Sequence, residues 1–306
     1  MISIILPFFN EEANVELLYK DLITTVKDFD YEIIAVNDGS KDNTLFKLKS
    51  IQNNDASFKI INFKRNFGQT AAIQAGIDEA TGEIIVLMDT DLENFSSDIP
   101  RLIKKMEEGF DVVSGWRKER WVGQYLTRKL PSMLANKLIS KISGVSLHDY
   151  GCTLKVYKSE FIKGIRLYGQ MHRFIPVFCY WEGAKITEIE VNYQPRIHGK
   201  SNYGFSRTFK VILDLILIKF LQKYHRRPIH FFGGAGFISI FISFISFFLA
   251  LYFKITSQKD FVQTPLPIFM AMFFIVGILM ILLGIVSEIV MRTYYESQEK
   301  KIYNKK

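Results

Sequence analysis

The sequence predicts an α/β domain on a mainly parallel sheet, followed by an amphipathic helix and two membrane-spanning helices. Three observations carry this. Over the first 116 residues, short runs rich in Ile, Val and Phe alternate with segments of helical spacing, the pattern of a parallel sheet with helices on both faces. Carboxylates, amides and bases collect just after those runs, where such sheets bind ligands. Beyond residue 205 the chain turns strongly apolar, and two stretches exceed what a soluble core needs.

The elements follow in order. "ISIILPF" reads as a strand, and "NEEANVELLYKDLITTVKDF" as a helix with Asn10 as its expected N-cap and acids in its first turn. "YEIIAVND" is a second strand and "KDNTLFKLKSIQ" a helix. "FKIINF" is a third strand, and "GQTAAIQAGIDEA" a small-residue helix able to pack closely on a sheet. "GEIIVLMD", the helix "SSDIPRLIKKMEEG" and the strand "DVVSGWR" complete the alternation. Residues 117–205 are less regular, with helix expected from Pro131 onward. The domain is expected to end at residue 205.

Residues 206–230, "SRTFKVILDLILIKFLQKYHRRP" at their core, carry a wide apolar face and few charges. They read as a helix lying in the membrane interface or as a packing or subunit-contact helix, and the two are compatible. The stretches Phe231–Phe253 and Leu266–Val290 pass the length of roughly 18 residues that a membrane span requires. They form an expected two-helix unit over 231–291, with a basic tail at 292–306. Bases flank both outer ends, whereas the connecting loop has Lys254 and Lys259 offset by Asp260. The positive-inside rule then places the first domain and both ends in the cytoplasm. "MISIILPFFNEE" lacks a basic n-region and does not read as a signal peptide. Cys152 and Cys179 have no zinc spacing and are expected as free thiols. The net charge of +8 suits anionic lipid head groups as well as nucleic acid. With two spans present, lipid is expected and nucleic acid is not.

The strand ends carry the chemistry. The first runs into Pro7, Asn10 and Glu11, the second into Asp38, the fourth into Asp89 and Asp91, and the fifth into Arg117. Neither a GxGxxG after the first strand nor a GxxxxGK[ST] occurs, which disfavours a dinucleotide site or P-loop. If the fourth strand runs on, Asp89, Asp91 and Glu93 share one face and offer hard oxygen ligands for Mg²⁺ or Mn²⁺. Such a cation commonly shares its shell with substrate phosphates, which points to a nucleoside-diphosphate donor. Arg117, Arg120, Arg128, Lys129 and Ser132 form a basic segment suited to a second phosphate; a solvated or lipid-facing basic surface is the alternative. Arg196 and Lys200 sit in a Gly-containing loop able to close over a diphosphate.

With "PFFNEE", "VNDGSKDNT", "NFGQTAA", "MDTDLEN", "WRKER", "DYGCTLKVY", "LYGQMHRFIP", "RIHGKSNYG" and two C-terminal spans, the chain resembles the family 2 glycosyltransferases of GT-A fold. More narrowly it resembles the polyprenyl-phosphate glycosyltransferases, across essentially its whole length. The resemblance implies that Pro7, Asn10, Glu11 and Asp38 hold the donor's base and ribose. Asp89, Asp91 and Glu93 would hold the metal; Arg117, Arg128 and Ser132 the acceptor phosphate; Arg196 and Lys200 the donor diphosphate. Asp149 would lie near the reacting sugar. His172 and Arg173 would line the same cavity, though a packed histidine is an equal reading of His172. Members usually have Gln where this chain has Glu93, which puts the third metal ligand in doubt.

The implied reaction is inverting transfer of a sugar from a nucleotide-sugar to undecaprenyl phosphate, with UDP-glucose the first donor. GDP-mannose and an aminoarabinose-type donor are the alternatives. A phosphate monoester is largely dianionic at pH 7, so Asp149 is expected to orient groups rather than remove a proton. A flippase and a downstream transferase are implied as partners, and a homo-oligomer, tetramer or dimer, is expected. A processive polysaccharide synthase is disfavoured by the missing Gln before Arg120-Trp121 and by having only two spans. An inactive membrane assembly subunit is disfavoured by the intact acids and bases.

Overall fold

The computed structural model describes residues 1–120, 130–195, 227–257 and 259–297, with Phe220 and Tyr224 between them. The chain divides into two compact units, Met1–Leu215 and Ile216–Lys306.

The first unit holds a seven-stranded sheet in the order β3-β2-β1-β4-β6-β5-β7. Its strands are β1 (Ile2–Phe8), β2 (Tyr31–Asn37), β3 (Phe58–Asn62), β4 (Ile84–Leu87), β5 (Val112–Trp116), β6 (Lys155–Lys158) and β7 (Ile186–Glu190). The five expected strands are present, and β6 and β7 come from the region that looked irregular. All neighbours pair in parallel except β6, which runs antiparallel between β4 and β5. Parallel strands need crossovers, and these are α1 (Val15–Val26), α2 (Thr44–Gln52), α3 (Gln69–Glu79) and α4 (Ile99–Glu107). Further helices are α5 (Leu130–Ser143), α6 (Ser159–Ile162) and α7 (Ile175–Trp181).

Two cores lie on the two faces of the sheet. Ile4, Leu6, Ile33, Val86 and Val113 pack on one side with α1 and α4; Ile5, Ile34, Ile85 and Tyr157 pack on the other with α3 and α7. Alternate residues of one strand serve opposite cores, so the central strands are apolar throughout. The small residues of α3 serve close approach, since a Cβ on Gly76 would meet Ile5 Cγ2 at 2.3 Å.

Asn10 is not the N-cap of α1. The helix begins four residues later, after Asn14. Glu11 and Asn14 close a turn first, with the Asn14 N–H donating to the Glu11 carbonyl at 2.9 Å. Asn10 adopts a left-handed φ of 56°, which Asn tolerates better than most residues. That conformation turns its side chain to the loop after β2.

The second unit contains α8 (Pro228–Ile255) and α9 (Leu266–Ser297). Both are long and apolar enough to cross a membrane. They pack through small residues: a Cβ on Gly236 would lie 2.7 Å from the Gly277 carbonyl oxygen. Ser239 and Ser243 donate across the pair to the carbonyls of Phe273 and Met270, each at 2.7 Å. Their outward faces expose Phe237, Phe241, Phe248, Leu279 and Val286, as helices long and apolar enough to cross a membrane would. The expected interfacial helix over 206–230 falls almost wholly outside the described residues.

Candidate active site

The site forms where parallel strands end. Because β6 is antiparallel, its first residue lies level with the end of β4, with Lys155 opposite Leu87. The segment Asp149–Thr153 leading into β6 is thereby brought beside Asp89. Thr153 Oγ1 donates to Asp89 Oδ2 at 2.7 Å, and Gln69 Nε2, at the start of α3, donates to Asp89 Oδ1 at 2.6 Å. Neither Thr153 nor Gln69 stood out in the sequence.

The three acids of "DTDLE" do not share a face. Strand β4 ends at Leu87, before the acids begin, so the two-residue period no longer holds. Leu92 takes a φ of 59°, a strained conformation for a leucine, which redirects the chain between Asp91 and Glu93. Asp91 is buried and accepts from the Glu93 N–H at 3.1 Å. The Glu93 carboxylate instead faces Arg117 Nη1 at 3.1 Å and Arg120 Nη2 at 3.6 Å. Among the described residues no three His, Cys, Asp or Glu side chains converge as a metal cage.

Arg117, expected to hold the acceptor phosphate, is 4% exposed. Its Nε donates to Asp149 Oδ2 at 2.9 Å and its Nη2 to Asp149 Oδ1 at 3.3 Å, while Nη1 serves Glu93. One guanidinium thus joins the loop after β4, the end of β5 and the approach to β6. Burial by itself lowers the Arg117 guanidinium and raises the Asp149 carboxyl. Their mutual attraction outweighs it, holding Arg117 above and Asp149 below their ordinary values. Both stay ionised at neutral pH. Cys152, buried beside them, has its thiol pushed up by burial; both cysteines are free.

On the other side of β1, a cleft of about 500 Å³ is lined by Phe9, Asn37, Gly39, Ser40, Arg65 and Asn66 among others. Asp38 is 2% exposed. Its carboxylate accepts from the N–H groups of Phe67 at 2.7 Å and Gly68 at 2.9 Å and from Asn66 Nδ2 at 2.9 Å, which pins the loop before α3. Asn10 Oδ1 accepts from the Lys41 N–H at 2.8 Å, and the Glu11 N–H donates to Thr44 Oγ1 at 2.9 Å. The loops after β1 and β2 are therefore laced together. Pro7 ties β1 to the segment after β4, its carbonyl accepting from Thr90 Oγ1 at 3.0 Å.

A smaller cavity of about 110 Å³ adjoins Asp89, walled by Gln69, Glu93, Arg117, Arg120, Thr153, Lys155, His172 and Arg173. Lys155 is 2% exposed and directs its ammonium at the carbonyls of Tyr150, at 3.3 Å, and Cys152. Burial lowers its pKa, opposed by Cys152 and Asp149. A lysine inside the apolar run "TLKVY" was its only sequence signal. Ser132 lies half-buried in the first turn of α5. Arg128, Arg196 and Lys200 lie outside the described residues.

A single ring of strand ends thus carries two acids held by hydrogen-bond donors, a buried arginine network and a cleft of about 500 Å³, and the sequence matches this chain to known proteins. Residues 3–166 match the model of glycosyl transferase family 2, and the chain belongs to that family. Its reaction is glycosyl transfer. The chain is 40% identical, over 99% of its length and 91% of the relative's, to a dodecaprenyl-phosphate galacturonate synthase of Rhizobium johnstonii. It is 31% identical, over 99% of its length and 90% of the relative's, to an undecaprenyl-phosphate 4-deoxy-4-formamido-L-arabinose transferase of Shewanella sediminis. Among solved structures, glucosyl-3-phosphoglycerate synthase from Mycobacterium tuberculosis, in complex with Mn²⁺ and UDP-glucose, superposes with a TM-score of 0.54. At 16% identity over 72% of this chain and 78% of that one, the likeness bears on the fold, which is GT-A.

Proposed function

We propose that the chain transfers a sugar from a nucleoside diphosphate to a polyprenyl phosphate at a membrane surface. The observation that carries this is the extent of the 40% match, which runs through the α/β unit and both apolar helices. An enzyme with a lipid acceptor needs both parts. The relatives' names favour galacturonate, then 4-formamido-arabinose, over the glucose placed first by the sequence reading.

The cleft beside Phe9 and Asn37 takes the nucleoside. Asp89 and Asp91 offer an all-oxygen donor set that fits a hard divalent cation, Mg²⁺ or Mn²⁺. Such a cation would neutralise the departing diphosphate. Gln69 and Thr153 orient the Asp89 carboxylate. Arg196 and Lys200 cover the diphosphate, and Arg128 and Ser132 take the acceptor phosphate, as the resemblance implies. The acceptor's second pKa is about 6, so it arrives as its own nucleophile. In-line attack by its oxygen on the anomeric carbon, with the nucleoside diphosphate leaving, inverts that centre. The protein's task is to bring two anions together. Asp149 has no proton to remove, and its pairing with Arg117 suits a positioning role. Arg117 holds the site's loops together while adding positive potential.

The positive-inside pattern puts this chemistry on the cytoplasmic face. A lipid-linked sugar made there needs a flippase and a downstream transferase to be used outside. Outward apolar faces on the hairpin suit lipid and a homo-oligomeric contact. The test is incubation of full-length protein in nanodiscs with undecaprenyl phosphate, Mn²⁺ or Mg²⁺, and in turn UDP-galacturonate, UDP-4-formamido-arabinose, UDP-glucose and GDP-mannose. Mass spectrometry should find a lipid-linked monosaccharide with UDP-galacturonate. Absence of product with every donor would overturn the reading.

A further inference from the structure

His172 sits on the wall of the 110 Å³ cavity with Asp89, Thr153 and Arg173, and its hydrogen bonding determines which ring nitrogen carries the proton. Thr70, near the start of α3, is 5% exposed. Its Oγ1 donates to the Gly169 carbonyl at 2.7 Å and also lies 2.7 Å from His172 Nδ1. A hydroxyl has one proton. A carbonyl cannot donate, so that proton belongs to Gly169, and His172 Nδ1 must be the donor to Thr70. The ring is therefore the Nδ1–H tautomer, with Nε2 left as a bare acceptor. Burial, with Arg173 and Lys155 nearby, lowers the pKa to about 3, so the ring stays neutral at working pH.

The rest of the cavity wall is rich in cationic donors: Arg117 and Arg120, which face the Glu93 carboxylate, Lys155, which faces backbone carbonyls, and Arg173. A neutral acceptor among them is suited to a hydroxyl, which the cations do not need. We propose that His172 Nε2 accepts a hydrogen bond from a hydroxyl of the donor sugar, and that Thr70 is the positioning residue that fixes the tautomer making this possible. This rests on the nucleotide-sugar reading of the site and assigns His172 to the sugar rather than to the nucleotide or to the fold alone.

The tests need no acceptor lipid. Binding of UDP, UDP-galacturonate and UDP-glucose to full-length protein in nanodiscs is measured by calorimetry with Mn²⁺ present. His172→Phe keeps the ring's shape and removes both nitrogens. It is expected to weaken the tighter-binding UDP-sugar about tenfold, the range for a lost hydrogen bond that leaves a hydroxyl unpaired, and to leave UDP unchanged. An equal loss for UDP and UDP-sugar, or no loss for either sugar, overturns the proposal. Histidine ¹⁵N spectra of the wild type supply a second readout. A protonated Nδ1 and bare Nε2 at His172 are expected, kept in Thr70→Ser and lost to a tautomer mixture in Thr70→Val. A protonated Nε2 in the wild type refutes it. Intact sugar binding without any lipid product would instead overturn the acceptor assignment and leave this one standing. Failure of the wild type to bind any of the four nucleotide sugars refutes both.

Discussion

The two ends of the sheet each bury a carboxylate group, and they use it differently. At the amino ends, Glu32 accepts from Ser3 Oγ at 2.6 Å, from the Thr81 N–H at 2.6 Å and Oγ1 at 2.8 Å, and from Lys59 Nζ at 2.6 Å. The donors come from β1, β2's neighbour β3 and the turn into β4, so this cluster closes the sheet. At the carboxyl ends, Asp89, Asp149 and Glu93 are held by Gln69, Thr153, Arg117 and Arg120 around a cavity. Hydrogen-bonded carboxylates thus close the sheet at one end and, with Asp89 only half-buried, line a cavity at the other.

The largest expected effect breaks the second half of that contrast. Asp89→Asn keeps the side chain's shape but removes the charge that, on the proposed reading, would hold the cation against the leaving diphosphate. Turnover should fall about 10³-fold, in keeping with the several kcal/mol that a metal–phosphate clamp supplies, with the thermal midpoint nearly unchanged. A melting shift as large as the activity loss would make Asp89 structural.

Arg117→Met tests whether the active end also carries stability. Removing one partner of a buried ion pair costs about 3–5 kcal/mol, because the other is left uncompensated. Here Asp149 and Glu93 would both lose their guanidinium. Chemical denaturation should show that loss, and turnover should fall with it. A stable but inactive variant would return Arg117 to a purely phosphate-binding role.

These networks explain what could be read from the sequence. Strands β1 to β5 and helices α1 to α4 announce themselves, because apolar runs with period-2 or helical spacing end in polar loops. Strand β6 does not: it has four residues with a lysine at each end, and no local pattern predicts its insertion between β4 and β5. Strand β7, "ITEIE", is a half-buried edge whose alternation is weak in apolar residues. In the site, the strand-end positions of Asp38, Asp89 and Arg117 were legible. Their partners were not, since Arg117 meets residues 24 and 32 positions away and Thr153 reaches Asp89 over 64. Glu93 leaves the face expected for it for two reasons: β4 stops at Leu87, before the acids begin, and Leu92 is left-handed.

Glu32→Gln probes the structural end. Burial raises this carboxyl, but hydrogen bonds from Lys59, Ser3 and Thr81 outweigh it, taking the pKa from 4.5 to about 2. A depressed folded pKa stabilises the fold above the unfolded value. That contribution is full above about pH 4.5 and disappears as pH falls toward 2. The variant should lose about 1–3 kcal/mol at pH 7 and flatten the acid limb of the stability profile between those values, with turnover retained. Unaltered acid unfolding would remove Glu32 from the closing cluster.

The smallest expected change decides which half of the comparison Glu93 belongs to. If its carboxylate serves Arg117 and Arg120, as its 3.1 and 3.6 Å contacts indicate, Glu93→Gln leaves the metal's own ligands in place. A glutamine oxygen still accepts from Arg117 but without charge, so stability should fall by about 1 kcal/mol. The Mn²⁺ concentration for half-maximal turnover should then shift by less than about twofold, since the lost charge is already balanced by two arginines. A tenfold rise in that concentration would mean that Glu93 turns to the cation when donor binds, and that Arg117 is released toward a phosphate at the same step. The two residues are coupled through one hydrogen bond, so the metal titration reports on both.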